Sequence, residues 1–486
     1  MLVNRLPQAF KSDDQRVLAR FFCPGDDARN RRIVQRVLGL GDRAVAKLLD
    51  RVLRDFAPRH HDIKAVFREH FGRISHLVPP DTALGDERQL LIGAYFTMEY
   101  AIESAALFNP SIVPYPRQDG LAEGSTRFLM SLRATGEGHV SSIVFRRGTI
   151  DRDNKISVDP VGRHTRQVKL VEDRQYDQHL FRMKLIEMGA YDDQAESALT
   201  HLGPHFTFQQ LNDAIEQARQ EAQAPELLEQ SAHRLLWLAR SNYHLYIPPE
   251  VDPSEIVIFP SVETEIHGLE DARLVRFTDD DGTVQYYGTY TAFDGSNALP
   301  QLIETTDFRT VRVHTLNGRY VQQKGLALFP RRIEGKYLMI ARLDGESLSL
   351  MRSDNVRFWN QAEPMQNPKY PWEFVQIGNC GSPLETEEGW LLLTHGVGPV
   401  REYCLGVSLL DRENPARVIG QLREPLIVPT AAERNGYVPN VVYTCGAMIH
   451  HETLVIPYAV SDRATSFATV SLPELLSALK GPAKGR

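Results

Sequence analysis

Apolar residues recur at three-to-four spacing from Asp13 to about Leu107, through VLARFF, RRIVQRVLGL, AVAKLLDRVLRDF and QLLIGAYFTMEYAIESAALF, and this spacing predicts a helical region. Gly41, Pro58 and the Pro79-Pro80 pair punctuate it. A second helical tract is predicted from about Gln175 to Arg240, in DQHLFRMKLIEMGA, FTFQQLNDAIEQARQEA and LLEQSAHRLLWLARS, with breaks at Gly203-Pro204 and Pro225. The remainder reads as short strands and turns. Five of those strands share a form, one apolar or aromatic run with a polar end: RFLMSLRATGE, VQYYGTYTAFDG, KYLMIARLDGE, GWLLLTHGVG and TLVIPYAVSD. Their corresponding positions, Arg133, Tyr290, Arg342, His395 and Tyr458, are separated by 157, 52, 53 and 63 residues. The last four units therefore recur near the roughly 50-residue period of a propeller blade, and the long first gap holds the second helical tract.

The predicted fold is mainly β: a five-bladed β-propeller over residues 106–475, with a helical N-terminal extension over 1–105, a helical insertion at about 175–240 and a tail from 476 to 486. In a propeller the innermost strand of each blade lines an axial channel, so equivalent strand ends converge on one pocket although far apart in sequence. Two arginines and a histidine are expected to meet there.

Composition narrows the class. With 42% hydrophobic and 24% charged residues the chain is globular, and a formal charge of -7 gives no electrostatic footprint for nucleic acid. The start MLVNRLPQAFKSDDQR carries Asp13 and Asp14 early and lacks an apolar core, so neither a secretory nor a transit signal is read there. No stretch approaches the roughly 18 apolar residues of a membrane span. Cys23, Cys380, Cys404 and Cys445 form no CxxC pair, so reduced thiols and a cytoplasmic location are expected. No GxSxG elbow, Walker loop or HExxH occurs, and the pairs His60-His61 and His450-His451 lack helical i, i+4 partners, so no catalytic metal is expected. The acidic pair Glu270-Asp271, before Arg273 at the start of a strand, is the remaining candidate. Adjacent carboxylates on a strand point to opposite faces, which predicts that only one of them enters the pocket.

NPSIV at 109–113, FLMSLRA at 128–134, GLEDARLV at 268–275, KGLALFPRRIEGKYLMIAR at 324–342, PWEFVQIGNCGSP at 371–383, GWLLLTHGV at 389–397 and GYVPNVVYTCGAMI at 436–449 together resemble glycoside hydrolase family 130. The resemblance spans about residues 105–475 in order. It implies a five-bladed propeller acting on β-linked mannosides, mostly by inverting phosphorolysis and in some branches by hydrolysis. It implies that Asp271 is the general acid, in a family Glu-Asp-Pro-Arg motif that here reads Glu270-Asp271-Ala272-Arg273, and that the acid acts through the mannosyl 3-hydroxyl. Phosphate is already an anionic nucleophile and needs a cationic seat rather than a second carboxylate. The family's basic positions map to Lys324, Arg342 and His395, with Tyr403 as a hydroxyl donor; a position that is often lysine is Gln376 here, and Arg401 in the GPVRE loop is a candidate to restore that charge. Asn109, Ser111, Arg133, Glu270, Arg273, Tyr290 and Asp462 are expected at the substrate, and Trp372, Tyr290 and Tyr458 are candidates to stack on a pyranose.

The sequence thus points to a phosphorylase that takes a β-mannoside and inorganic phosphate, without another cofactor, and gives mannose 1-phosphate. The alternatives are a β-mannosidase of the same fold, with Glu304 or Glu385 as base, a β-mannosyltransferase using an activated donor, and a non-catalytic sugar-binding propeller. No nucleic-acid or membrane partner is expected. The helical extension is expected to cover one propeller face or to build a homo-oligomer interface.

Overall fold

A computed structural model describes residues 3–168, 170–172, 175–221 and 225–480. Antiparallel sheet is its largest regular component. A first set of strands runs Ala106–Pro114, Thr126–Thr135 and Ser141–Ile150. A second runs Gly268–Thr278, Val284–Phe293, Ala298–Thr305 and Thr310–Thr315, with Tyr243–Tyr246 added at its edge. These two sets join through the pairing of Gly268 with Ser141. A third sheet contains Ala327–Leu328, Tyr337–Ala341, Leu348–Ser353 and Gln361–Gln366, and a fourth contains Gln376–Asn379, Gly389–Val397, Tyr403–Leu410 and Val418–Gln421. The last is built from Val442–Tyr443, Thr453–Val460 and Ala464–Ser471, and Val3–Phe10 at the chain start supplies its outer strand.

Strand alternation explains how the sheets stack. In Gly389–Val397 every residue is buried, so its apolar run hides the period of two. Trp390 and Leu392 pack with Phe329, Leu338 and Leu350 of the third sheet, whereas Leu391 and Leu393 pack with Leu454, Ile456 and Ala468 of the last. Each such side chain contributes about 1.5–3 kcal/mol by burial, so the strand holds two cores at once. Similar cores join the first set to the second through Leu129 and Leu274, the second to the third through Phe277 and Met339, and the last sheet to the first through Phe467 and Phe128. The architecture is mainly β with two groups of helices.

The five repeat-like segments are all strands, but each pairs with a strand that precedes it in the chain. The strands before them, among them Ala106–Pro114, Gly268–Thr278 and Gln376–Asn379, supply Asn109, Asp271 and Asn379 to the central pocket. The helices lie at Asp27–Leu38, Asp42–Phe56, Ile63–Ile74 and Asp86–Tyr95, then at Gln178–Glu187, Asp193–Thr200, Phe208–Glu221 and Pro225–Arg240. Two runs read as helical are instead strands: Asp13–Phe21 pairs with Thr97–Glu103 in the register Val17 to Ala101. In the second, Met98, Tyr100 and Ile102 alternate with Thr97, Glu99 and Ala101, so the true period is two, and in VLARFF the aromatic residues suit a strand once a partner edge is present. The tail expected from residue 476 begins inside a helix, Leu472–Lys480, whose Leu475 and Leu479 join the core; residues 481–486 lie outside the described residues.

Candidate functional site

The central pocket has a volume of about 340 Å³ and is lined from the first two sets of strands and from the third, fourth and last sheets or the loops beside them. Its shape originates in two equivalent bulges. In Ala106–Pro114, Phe108 pairs with Arg133 and Ser111 with Ser131, so Asn109 and Pro110 together oppose one residue. In Gly268–Thr278, Glu270 pairs with Thr291 and Arg273 with Thr289, so Asp271 and Ala272 do the same. Asn109 (φ 48°) and Asp271 (φ 56°) both take the left-handed conformation in these bulges. The bulge breaks the alternation expected of the acidic pair, and Glu270 and Asp271 both line the pocket. Left-handed backbone recurs there at Arg401 (φ 57°) and Asp462 (φ 48°). Such residues cost on the order of 1–3 kcal/mol each and persist where their surroundings fix them.

Asn109 Nδ2 donates to Asp271 Oδ1 at 2.6 Å, which fixes the rotamer of the carboxylate. Arg133 reaches both acids, with Nη2 2.9 Å from Glu270 Oε1 and Nη1 3.6 Å from Asp271 Oδ1, while its Nε donates to Ser141 Oγ. Lys324 pairs with the other oxygen of Glu270. Asp462 sits in a tight turn whose Ser461 Oγ donates to the Glu433 carbonyl. Burial, and then the nearby negative charge of Asp271, pushes the Asp462 carboxyl up to about 6, against the opposing pull of Arg133 and Arg401.

Arg273, 3% exposed, forms part of the floor with its guanidinium engaged. It donates to the carbonyls of Gly325 and Asn379 and to the Tyr443 hydroxyl oxygen, tying three sheets together. Beyond it, Arg342 Nη1 lies 3.5 Å from His395 Nε2. A guanidinium only donates, so Nε2 accepts. Burial, then Arg342 and Arg273, holds the His395 pKa well below its ordinary value. His395 is therefore neutral, and the cationic role expected of it falls to other groups. Its ring stacks at 5.7 Å on Tyr403 and lies so close to Gly378 that a Cβ there would be 2.2 Å from it, which is why that position is glycine.

Of the residues expected from the sequence, Asn109, Arg133, Glu270, Asp271, Arg273, Lys324, Arg342, Gln376, His395, Arg401, Tyr403 and Asp462 line this pocket. Ser111 and Tyr290 do not. The Ser111 Oγ, fully buried, accepts from the Leu274 backbone N–H, bracing one inner strand against the next. The Tyr290 hydroxyl donates to Glu265, and the buried residue borders a small separate cavity beside Asp271 and Arg273. Tyr458 donates to Glu433, and Trp372 lies under Gly396 and Gly406 with Nε1 donating to the Arg423 carbonyl, so neither is a stacking platform. Glu304 pairs with Arg357, and Glu385 with Arg331, both away from the pocket. Asn379 and Tyr443 line it without having been singled out, although both fall within the family-like motifs. Buried Asn109 Oδ1 and Asn379 Nδ2 have no protein partner, which leaves an acceptor and a donor for a polar ligand. Among the described residues no cluster of histidine, cysteine and carboxylate has the form of a metal site, and no helix is long and apolar enough to cross a membrane.

The family model described as beta-1,4-mannooligosaccharide phosphorylase matches residues 250–481. A 1,2-beta-oligomannan phosphorylase of Thermoanaerobacter sp. (strain X514) is 31% identical over 230 residues, 45% of this chain and 73% of that protein. A beta-1,4-mannooligosaccharide phosphorylase of Ruminococcus albus is 30% identical over 167 residues, 32% of this chain and 49% of that protein. The solved beta-1,2-mannobiose phosphorylase of Listeria innocua superposes with a TM-score of 0.46 at 19% identity, over 79% of this chain and 94% of that one.

Proposed function

The chain belongs to glycoside hydrolase family 130, and from that premise we propose that it is an inverting phosphorylase that cleaves a β-mannoside with inorganic phosphate to give α-mannose 1-phosphate. The observation that carries this reading is the segregation of charge in the pocket. Glu270 and Asp271 lie together with Arg133 and Lys324, and Asp462 is near enough to feel Asp271, Arg133 and Arg401, whereas Arg342, His395 and Tyr403 form a second group that itself holds no carboxylate. An anionic nucleophile fits the second group and is repelled by the first.

In the proposed reaction a phosphate oxygen attacks the anomeric carbon from the face opposite the leaving sugar, and the glycosidic C–O bond breaks. The proton reaches the leaving oxygen from Asp271 through the mannosyl 3-hydroxyl, so Asp271 ends as carboxylate. Asn109 and Arg133 position that carboxyl group. Neutral His395, by accepting from Arg342, aims the guanidinium at phosphate oxygens. Lys324 is neutralised by Glu270, so Arg342 and Arg401 are assigned the phosphate charge, with Tyr403 and Gln376 as neutral donors. A hydrolase would need a base for water, and Glu304 and Glu385 are engaged elsewhere with arginines.

The sheets are read as five propeller blades, supported by cores that succeed one another from the first set of strands to the last sheet and back to the first. The helices before residue 97 form an appended unit in this reading, and those from 178 to 240 an insertion. Action without a further cofactor and a cytoplasmic location belong to the same proposal. The test incubates the protein with β-1,2- and β-1,4-mannobiose with and without phosphate. Phosphate-dependent mannose 1-phosphate is the expected product, and free mannose formed equally well without phosphate would overturn the reading.

A further inference from the structure

We propose that Tyr437, backed by His139, is the platform on which the leaving, or acceptor, sugar stacks at the mouth of the pocket. This inference rests on the reading of the pocket as a β-mannoside site. Tyr437 is 62% exposed, yet its ring is stacked on His139 with centroids 5.4 Å apart and planes at 23°. One face of the phenol is thereby occupied and the ring held, while the other is open to solvent. An exposed, immobilised aromatic face loses little freedom when a pyranose covers it.

The backbone places this pair on the sugar side. Gly436 packs so tightly on Ser461 that a Cβ would lie 2.5 Å from it, and the Val438 N–H donates to the Ser461 carbonyl. Both neighbours of Tyr437 are thus fixed against the residue preceding Asp462, and Val438 is itself in the pocket wall. His139 is at the tip of the hairpin between Thr126–Thr135 and Ser141–Ile150. That hairpin carries Arg133, which grips Asp271, and Ser141, which holds Arg133. The two loops that meet in the aromatic pair therefore descend to Asp462 and Arg133, and the Tyr437 loop then runs on to Asn440, whose carbonyl accepts from the Tyr403 N–H. In this proposal the reducing-end substituent of a mannosyl unit on Asp271 points out past Val438, towards the exposed face of Tyr437.

The test compares wild type, Tyr437→Ala, Tyr437→Phe and His139→Ala in both directions, with whichever β-mannobiose wild type turns over, and with mannose 1-phosphate plus mannose in synthesis. Tyr437→Ala is expected to raise KM for the disaccharide and for acceptor mannose about tenfold, leaving KM for mannose 1-phosphate unchanged. Tyr437→Phe should behave as wild type, and His139→Ala should fall between. The platform is overturned if Tyr437→Ala leaves the acceptor and disaccharide KM within twofold of wild type, or raises KM for mannose 1-phosphate equally. If wild type releases mannose rather than mannose 1-phosphate, the phosphorolytic reading fails, and the disaccharide KM ratio still decides the platform. If wild type neither cleaves nor binds either disaccharide, both fall.

Discussion

Two cavities of nearly equal size can be set side by side. One, about 340 Å³, is the central pocket around Asp271; the other, about 360 Å³, opens among the N-terminal helices between Leu48, Val52, Phe56, Ile63, Phe67 and Leu91. The second is walled by apolar faces of helices. Its carboxylate, Glu99, accepts from both Arg59 and His60, and none of its lining residues is left-handed. The first is walled by polar side chains, four of them on left-handed backbone, with buried amide atoms left over. Volume therefore does not distinguish a reaction site from the space between amphipathic helices. Stored strain and unmatched polar groups do, because folding alone supplies no reason to keep either.

The sharpest way to break this contrast is Asp271→Asn, which is expected to lower kcat by roughly 10³-fold; steady-state kinetics showing less than a tenfold loss would remove Asp271 from the acid role. Phe67→Ala, in the helical cavity, should cost about 3–5 kcal/mol of stability by denaturant titration, while the folded protein keeps its kcat/KM. A loss of activity without a loss of stability would mean that the two regions are not distinct. Arg342→Ala should raise KM for phosphate about 10–100-fold, the equivalent of one charge-assisted hydrogen bond, with a smaller change in KM for the mannoside; an unchanged phosphate KM would move the seat elsewhere.

The smallest effect concerns pH. The Asp462 carboxyl is raised from 3.8 to about 6 in the fold, so the protonated form is the one that folding favours. Its stabilising contribution is complete below pH 3.8 and is lost as pH rises through about 6. Asp462→Asn should therefore melt at the same temperature as wild type near pH 4 and higher than it at pH 8. Thermal scans giving the same difference at both pH values would show that Asp462 does not titrate in this way.

Much of the site was legible in the chain. Twelve of the expected residues line the pocket, nine of them within the family-like motifs and Arg401, Tyr403 and Asp462 outside them. The misses share a cause. Tyr290 and Tyr458 occupy repeat positions equivalent to Arg133, Arg342 and His395, but their hydroxyls find carboxylates, buried Glu265 and part-buried Glu433, that lie at unrelated distances in sequence. Tyr437 and His139 are separated by most of the chain, and neither has a local pattern that announces the other.

By itself the sequence determined which residue types are available, where apolar periodicity changes from helix to strand in most of the chain, and the family to which the motifs belong. Tertiary structure decided the rest. Whether Glu270 and Asp271 share a pocket depends on one extra residue in a ladder with Val284–Phe293, and whether His395 carries charge depends first on its burial and then on Arg342 and Arg273 from other sheets. Both are set by backbone pairing and by electrostatics across long sequence separations, where a local pattern holds no information about the partner.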